Sequence, residues 1–263
     1  MTNLTNDQKS ADLARSTAAD LLEAADAAIV HGVSVPVDKE RVFGPVYSWW
    51  RLVCRTSEAV LLLTERGFTL EAAPIVRNIL NHAYAINWLV DNGDLAVDAL
   101  VARGDDEREK LCKKLEETGW SNAAEFRAVI DQATAQQVPA VRTPAEQTLF
   151  NKLKHELGNF YDMLDRYDVG DIYPVYSHLS SLSHTTIATA SAYVEQMSDG
   201  SLQIRPEAAD LGHADIIQLA LALLQTATVV SPLIDGDPLR ASIDQATADL
   251  GLENTQLLPV RVK

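Results

Sequence analysis

Two residue types that suit phosphate chemistry stand five positions apart in the first third of the chain. Residues 77–82 read Arg-Asn-Ile-Leu-Asn-His. A guanidinium matches the geometry of a phosphate and binds it through two parallel hydrogen bonds. An imidazole exchanges a proton near neutral pH and can act as a general acid or base. The segment therefore indicates chemistry on a phosphate ester, with Arg77 binding the anion, His82 moving the proton and Asn78 or Asn81 orienting the reacting groups.

The apolar periodicity around this segment predicts a helix from Thr69 to Val90. At 100° per residue, His82 falls in the middle of an apolar stripe, and Arg77 lies about 140° away from it on the wheel. A histidine in an apolar stripe needs a hydrogen-bond partner. Asn78, one turn earlier, or a neighbouring helix could supply it, so a purely structural role for His82 is the alternative to catalysis.

The spacing of Arg77 and His82 resembles the Arg-x(4–6)-His signature of the HEPN superfamily, including the polar residue after the arginine. Members with an intact signature are metal-independent endoribonucleases of toxin–antitoxin and antiviral systems. The resemblance implies that Arg77 stabilises charge on the phosphate and that His82 helps to activate the ribose 2′-hydroxyl. It also implies a homodimer, because these sites lie in a cleft between two protomers and one straight helix does not point both groups at one phosphate.

A second resemblance covers more of the chain. Residues 67–94 and 173–186 are similar to an uncharacterised bacterial family of all-helical proteins, which carry an arginine-led helix and a later Tyr…Ser…His stretch. Those proteins usually have Glu where this chain has Asn81, so a charge of the pattern is lost here. This resemblance supports the fold more than any activity.

A second polar face is expected on a helix of residues 172–197. On a wheel started at Tyr176, the side chains of Tyr173, Ser180 and His184 fall on one broad face. One interpretation is tight helix packing, with buried hydroxyls bonded to the backbone. The other is a pocket wall in which His184 titrates and the hydroxyls orient it or a ligand. If this helix packs on that of residues 69–90, His82 and His184 share a cavity.

The helix of residues 45–66 offers further positive charge. Arg51, Arg55 and Glu58 follow one another at helical spacing and form a charged stripe. They are either a surface ion-pair cluster or part of the polar cleft that contains Arg77, where they would attract an anion. Cys54 lies between the two arginines and is either a buried apolar residue or a thiol whose pKa they lower.

The composition limits the classes of function. The 263 residues include 22 Lys+Arg and 37 Asp+Glu, which gives a net charge of −15. This charge argues against a general nucleic-acid coat protein and against DNA binding, but it permits a local anion site. Any RNA must then be bound narrowly or delivered by a basic protein partner. The sequence lacks a phosphate loop, a dinucleotide fingerprint and a Glu-x-x-His pair, so no cofactor and no metal site are expected.

The chain is expected to fold as one all-α domain over residues 1–263, a helical bundle with additional packed helices. Residues 104–143 are dense in charge and predict a helical insertion or projection. The start of the chain does not read as a signal peptide, and the apolar stretch 216–233 is expected to be a buried helix, not a membrane span. With only two cysteines, the protein is expected to be cytoplasmic, with no membrane partner.

Two functions remain open from the sequence. The first is a HEPN-like endoribonuclease, or a related toxin or defence protein, that acts on RNA as a homodimer. Its catalytic residues would be Arg77, His82 and Asn78. Its pocket would be lined by Asn81, Tyr176, Ser180, His184, Arg51 and Arg55. The second is a non-catalytic helical binding or scaffold protein, whose polar pocket serves packing, a protein partner or a small ligand.

Overall fold

The computed structural model describes residues 8–135, 141–208, 214–254 and 256–259. The predicted all-α class is confirmed, because this part of the chain consists of helices with one small antiparallel hairpin. The helices are α1 Gln8–Val30, α2 Glu40–Glu65, α3 Thr69–Glu117, α4 Ala123–Ala135, α5 Pro144–Glu156, α6 Phe160–Asp165, α7 Tyr173–Ser181, α8 Ile187–Ala190, α9 Ala214–Val230 and α10 Arg240–Asp249. The strands of the hairpin are β1 Val194–Gln196 and β2 Leu202–Ile204.

The chain divides into two compact units. The first comprises Met1–Asp91 and Tyr161–Lys263, and the second comprises Asn92–Phe160. The division falls inside α3, close to Gly93, where the backbone leaves helical geometry at φ 58° and ψ −143°. Glycine adopts such a conformation without the steric cost that a Cβ would add. The residues of each unit therefore pack mainly against one another.

The core of the first unit is built around α9, which packs most extensively on α1 and also contacts α2 and α10. Ten of its seventeen residues are buried, among them Leu219, Leu223 and Leu224. The segment Ala214–Leu233 is long and apolar enough to cross a membrane, but 67% of its most apolar window is buried inside the protein. This degree of burial is typical of a core helix. Such a helix supplies the apolar face against which the neighbouring helices pack.

The second unit contains the end of α3 together with α4 and α5, and it includes the described part of the charged segment 104–143. Residues 136–140 of that segment lie outside the described residues. Arg127 of α4 binds Glu116 at 2.9 Å and also contacts Glu109, so it ties α4 to α3. Its guanidinium lowers the pKa of both carboxyls. The charge of the segment is therefore organised as ion pairs, both between α4 and α3 and within α3.

The expected continuous helix over residues 172–197 is wrong, because the helical conformation of α7 ends at Ser181. Hydroxyls there bond to backbone carbonyls: Ser181 Oγ donates to His178, and Ser183 Oγ donates to Leu179. Thr186 then caps the short α8, accepting from the Thr189 amide. Serine and threonine compete in this way with helical hydrogen bonding. The chain continues into the hairpin, in which Val194 pairs with Ile204.

Candidate functional site

Arg77 is held against α7 by two hydroxyl groups. Its Nε donates to Ser180 Oγ at 2.6 Å, and its Nη2 donates to Tyr176 Oη at 2.6 Å. The guanidinium carbon also lies 4.6 Å from the centre of the Tyr176 ring. All three side chains are half-buried. A cation that stacks on an aromatic ring and donates to fixed acceptors keeps one orientation, so the guanidinium is preorganised.

The charge of Arg77 is not neutralised by a neighbouring carboxylate. In the described residues no Asp or Glu lies within ion-pair distance of its guanidinium. Two other arginines of the predicted cleft differ in this respect, because Arg51 binds Asp26 at 2.7 Å and Arg55 binds Glu58 at 3.1 Å. The charges of Arg51 and Arg55 are therefore already balanced by carboxylates. Arg77 carries a partly buried positive charge that an anion can balance.

His82 lies on α3 beside α2. Its Nδ1 is 2.8 Å from the backbone oxygen of Asn78, and its ring meets the Trp49 ring edge-on at a centroid distance of 6.0 Å. A carbonyl oxygen only accepts, so Nδ1 carries the hydrogen in this contact. In the neutral ring, Nε2 then holds the lone pair. The side chain is half-exposed, so this basic nitrogen belongs to a ring that solvent reaches.

The structure brings together some of the expected site residues and leaves others apart. Arg77, Tyr176 and Ser180 form one cluster, and Asn81 is half-buried on the same helix as Arg77. His184 is exposed in the turn after α7, and no ring contact or hydrogen bond of the described residues links it to His82. Asn78 is exposed, and it serves His82 through its backbone oxygen.

An aromatic ladder extends from the arginine cluster. Tyr173 stacks on Tyr176 with a centroid distance of 6.2 Å, and Tyr161 meets Tyr173 edge-on at 5.1 Å. Tyr161 is 47% exposed and Tyr173 is 38% exposed. The sequence indicated Tyr173 through its helical spacing from Tyr176. It gave no signal for Tyr161, which belongs to another helix.

A chain of polar side chains, buried at Asn87 and Tyr167 and exposed at Asp91, crosses the first unit nearby and was not predicted from the sequence. Gln225 of α9 donates to Asn87 of α3 at 3.0 Å, and Asn87 donates to Asp91 at 2.9 Å. The Tyr167 hydroxyl donates to the same Asp91 oxygen at 2.8 Å. Burial raises the pKa of the Asp91 carboxyl, while the bond from Tyr167 and the charge of Arg166 oppose the shift. Asn87 is 2% exposed, so these bonds satisfy a side-chain amide that water does not reach, whereas Asp91 at the end of this polar chain is exposed.

The hypothesis that flanking arginines lower the pKa of Cys54 is wrong. The thiol is buried, and burial raises its pKa to about 12. The Arg51 charge acts in the opposite direction but is the smaller effect. Arg51 is itself bound to Asp26, so much of its charge is already compensated. Cys54 is a core residue of α2.

Metal chemistry has no candidate among the described residues, where no group of three or more His, Cys, Asp and Glu side chains is close enough to hold an ion.

The comparisons with known proteins then place the chain by sequence. The model of a family of unknown function, DUF5677, matches residues 43–201, which is more than half of the chain. The chain belongs to the DUF5677 family. The matched part of this DUF5677 protein runs from α2 to the turn of the hairpin and includes Arg77, His82, Tyr176 and Ser180.

Membership of DUF5677 confirms the coarser part of the second resemblance, that of a family without an assigned activity. Neither a curated protein sequence nor a solved structure matches the chain significantly. The DUF5677 match carries no information about RNA, nuclease activity or partners.

Proposed function

We propose that this protein is a metal-independent endoribonuclease that acts on RNA through Arg77 and His82. The observation that carries the proposal is the state of Arg77, whose half-buried guanidinium is fixed by two neutral hydroxyls and faces no carboxylate in the described residues. Because the chain has a net charge of −15, an anion would bind selectively at such a cation. A phosphodiester fits it because a guanidinium binds phosphate oxygens in a planar, bidentate way.

The proposed reaction is a transfer of the phosphodiester within RNA. Nε2 of His82 takes the proton from a ribose 2′-hydroxyl, and the 2′ oxygen attacks the adjacent phosphorus. A bond forms between phosphorus and the 2′ oxygen, and the bond to the 5′ oxygen of the next nucleotide breaks. The imidazolium returns its proton to the departing 5′ oxygen, so the ring ends as it began. Arg77 stabilises the negative charge that grows on the phosphate.

A complete site of this kind needs two copies of the chain. Arg77 contacts α7, whereas His82 lies against Trp49 of α2, so the two groups of one copy are held against different helices. A two-fold dimer presents the same surface of both copies to each other, and so can bring Arg77 of one copy toward His82 of the other. The proposed enzyme is therefore a homodimer with two composite sites.

The aromatic ladder favours RNA over a small anion as the substrate. Tyr173 stacks on Tyr176, which holds Arg77, and Tyr161 contacts Tyr173; the rings of Tyr173 and Tyr161 are both partly exposed. Unpaired bases stack on exposed aromatic side chains, and this contact tolerates any sequence. Stacking adds affinity without basic residues, which suits an acidic protein. Single-stranded RNA is the expected form.

The test is cleavage of a labelled single-stranded RNA by the purified full chain with EDTA present. The expected products carry 2′,3′-cyclic phosphate and 5′-hydroxyl ends. Arg77→Ala and His82→Ala should each be inactive. Mixed after joint refolding, the two variants should recover about a quarter of the wild-type rate, because half of the dimers then contain one intact composite site out of two. Inactive mixtures alongside an active wild type would contradict the composite site, and an inactive wild type would contradict the nuclease.

A second candidate, a non-catalytic binding protein, is favoured by one specific observation. Within one copy, Nδ1 of His82 is engaged by its own helix and its ring rests on Trp49, which is also how a structural histidine is satisfied. Such a protein would use Arg77 to bind an anionic partner without cleaving it. Binding of RNA or phosphate that depends on Arg77 but not on His82, together with no cleavage, would identify this function.

A further inference from the structure

A cavity of about 200 Å³ lies in the first unit between α3, α9 and the chain that follows α10. Leu80 and Tyr84 line it from α3, and Ile172, just before α7, closes one side. Gln218, Leu221 and Gln225 of α9 follow one another at helical spacing and face it together. These three are among the few α9 residues that are not fully buried, so the cavity is reached along this stripe.

The polar groups of the cavity are neutral. Its described lining contains no charged side chain, and its polar side chains are the Tyr84 hydroxyl and the amides of four residues. These four are Gln218, Gln225, Asn254 and Gln256. Gln218 makes no hydrogen bond with the described residues, and Gln225 uses one amide hydrogen on Asn87. Burial raises the pKa of the Tyr84 hydroxyl, which therefore stays protonated as a donor. The lining suits a small neutral ring that both donates and accepts hydrogen bonds.

The cavity begins one helical turn from the arginine cluster. Arg77, Leu80 and Tyr84 lie within about 60° of each other on the α3 wheel, so they occupy one face. Along the helix axis, Tyr84 is about 10 Å and Leu80 about 4 Å from Arg77. The segment that leads into α7 also passes both the cavity and the arginine cluster, because Ile172 borders the cavity and Tyr176 holds Arg77. An anion at Arg77 and a ring in the cavity would thus be neighbours along one face of α3.

We infer that this cavity binds the base of a nucleotide whose phosphate lies on Arg77. Glutamine and asparagine amides pair with the donor and acceptor groups on the edges of bases, and the aliphatic walls accept the ring faces. The volume is below the ~300–1,000 Å³ of pockets for drug-sized ligands, so a single ring system fits and a larger ligand does not. The inference rests on the proposed function for the phosphate and extends it by naming a base-binding subsite with Gln218 as its free amide.

The experiment measures how much the base adds to binding. Equilibrium binding to the full chain is compared for ribose 5-phosphate and the four ribonucleoside 5′-monophosphates. At least one monophosphate should bind about tenfold tighter than ribose 5-phosphate, since a good amide contact to a base edge is worth that much or more. Gln218→Leu and, independently, Leu221→Trp at the rim should remove this difference. Gln245→Leu is the matched control, because Gln245 lines a separate hollow of about 280 Å³ beside α10.

The results separate the subsite from the nuclease. Monophosphates that bind no tighter than ribose 5-phosphate, or a ratio unchanged by Gln218→Leu, would overturn the subsite even if RNA is cleaved. A base-dependent ratio that persists in His82→Ala while no RNA is cleaved would retain the subsite and overturn the nuclease. A trinucleotide identifies the source of the base. Loss of affinity in Gln218→Leu for the monophosphate alone indicates a free nucleotide, and loss for the trinucleotide as well indicates that the cavity also binds a base within RNA; both results support the subsite.

Discussion

Arg77 and Ser180 lie 103 residues apart in the chain and are joined by a hydrogen bond of 2.6 Å. Together with the bond to Tyr176, this contact fixes the guanidinium through Nε and Nη2 and leaves Nη1 without a partner among the described residues. A mobile arginine side chain on a protein surface loses conformational entropy when it binds a ligand. Here much of that entropy is already lost on folding, which favours tight binding of a small anion.

The first prediction concerns the charge of Arg77. Arg77→Ala should lower the rate of RNA cleavage by about 10²–10³-fold, because it removes the group that stabilises the growing phosphate charge. Arg15→Ala is the matched control. Arg15 is also half-buried and bound to neutral acceptors, Leu61 O and Thr64 Oγ1, but on α2. Equal losses in the two variants at unchanged helical circular dichroism would count against a special role for Arg77.

The second prediction concerns proton transfer by His82. His82→Ala should reduce cleavage by about 10²–10⁴-fold, the range expected for a general acid–base group. RNA affinity should change little, because the phosphate contact is assigned to Arg77. His31→Ala, at the exposed end of α1, should retain full activity. Affinity and cleavage are measured separately, by fluorescence anisotropy and by gel, and a loss confined to affinity would remove His82 from the chemistry.

The third prediction separates stacking from orientation in the tyrosine ladder. Tyr173→Ala should weaken RNA binding by about tenfold, since stacking is worth roughly 1–3 kcal/mol per base, whereas Tyr173→Phe should be neutral. Tyr176→Phe removes the hydroxyl that fixes Arg77, so it should weaken inorganic phosphate as well as RNA. Isothermal titration with both ligands checks this. A Tyr173→Ala variant that weakens phosphate to the same extent as RNA would disprove the stacking role.

The fourth prediction concerns stability and pH. Partial burial raises the pKa of Asp91 above its ordinary value of 3.8, so the folded protein keeps this proton to a higher pH than the unfolded chain. The contribution of Asp91 to the free energy of unfolding therefore falls as pH rises from about 3.8 through the raised pKa, and is constant above it. Asp91→Asn removes this dependence. As pH rises over that interval, urea unfolding should show the Asp91→Asn variant gaining stability relative to wild type. A relative loss would contradict the prediction.

The fifth prediction concerns the cysteines. Cys54 and Cys112 are both buried, and burial raises the pKa of Cys54 to about 12. The thiolate is the reactive form, so iodoacetamide at about pH 8 should leave the folded protein unmodified. In urea, intact mass should show two adducts. An adduct on Cys54 under native conditions would mean that the flanking arginines activate it after all.

The fold class and several helices could be predicted from the sequence because their signals are local. The apolar periodicity of α1 and α9, with Gly32 shortly after α1 and Pro232 shortly after α9, specifies helices within a few residues. The break after α7 could not be predicted by the same means. A helical wheel assumes a continuous helix, whereas the hydroxyls of Ser181, Ser183 and Thr186 bond to backbone carbonyls and end it.

The candidate site was only partly predictable, since it depends on pairings across long stretches of chain. Spacing selects Tyr176 and Ser180 as members of one face, but it gives no information about the helix opposite. The same limit applies to Arg51, whose partner Asp26 lies on another helix. It applies also to the polar chain that ends at Asp91, in which Gln225 of α9 donates to Asn87 of α3, and Asn87 and Tyr167, after α6, donate to Asp91.

The central position of α9 has a consequence for how the protein can be divided. The family match ends at residue 201, before α9 begins at Ala214, and it starts after α1. Residues 43–201 expressed alone would expose the apolar sides of α2 and α3 that α1 and α9 cover. The ends of the family match are thus not the ends of the unit that folds cooperatively. Truncation to the matched segment should yield an aggregating chain, and the helices outside it should be inherited together with it.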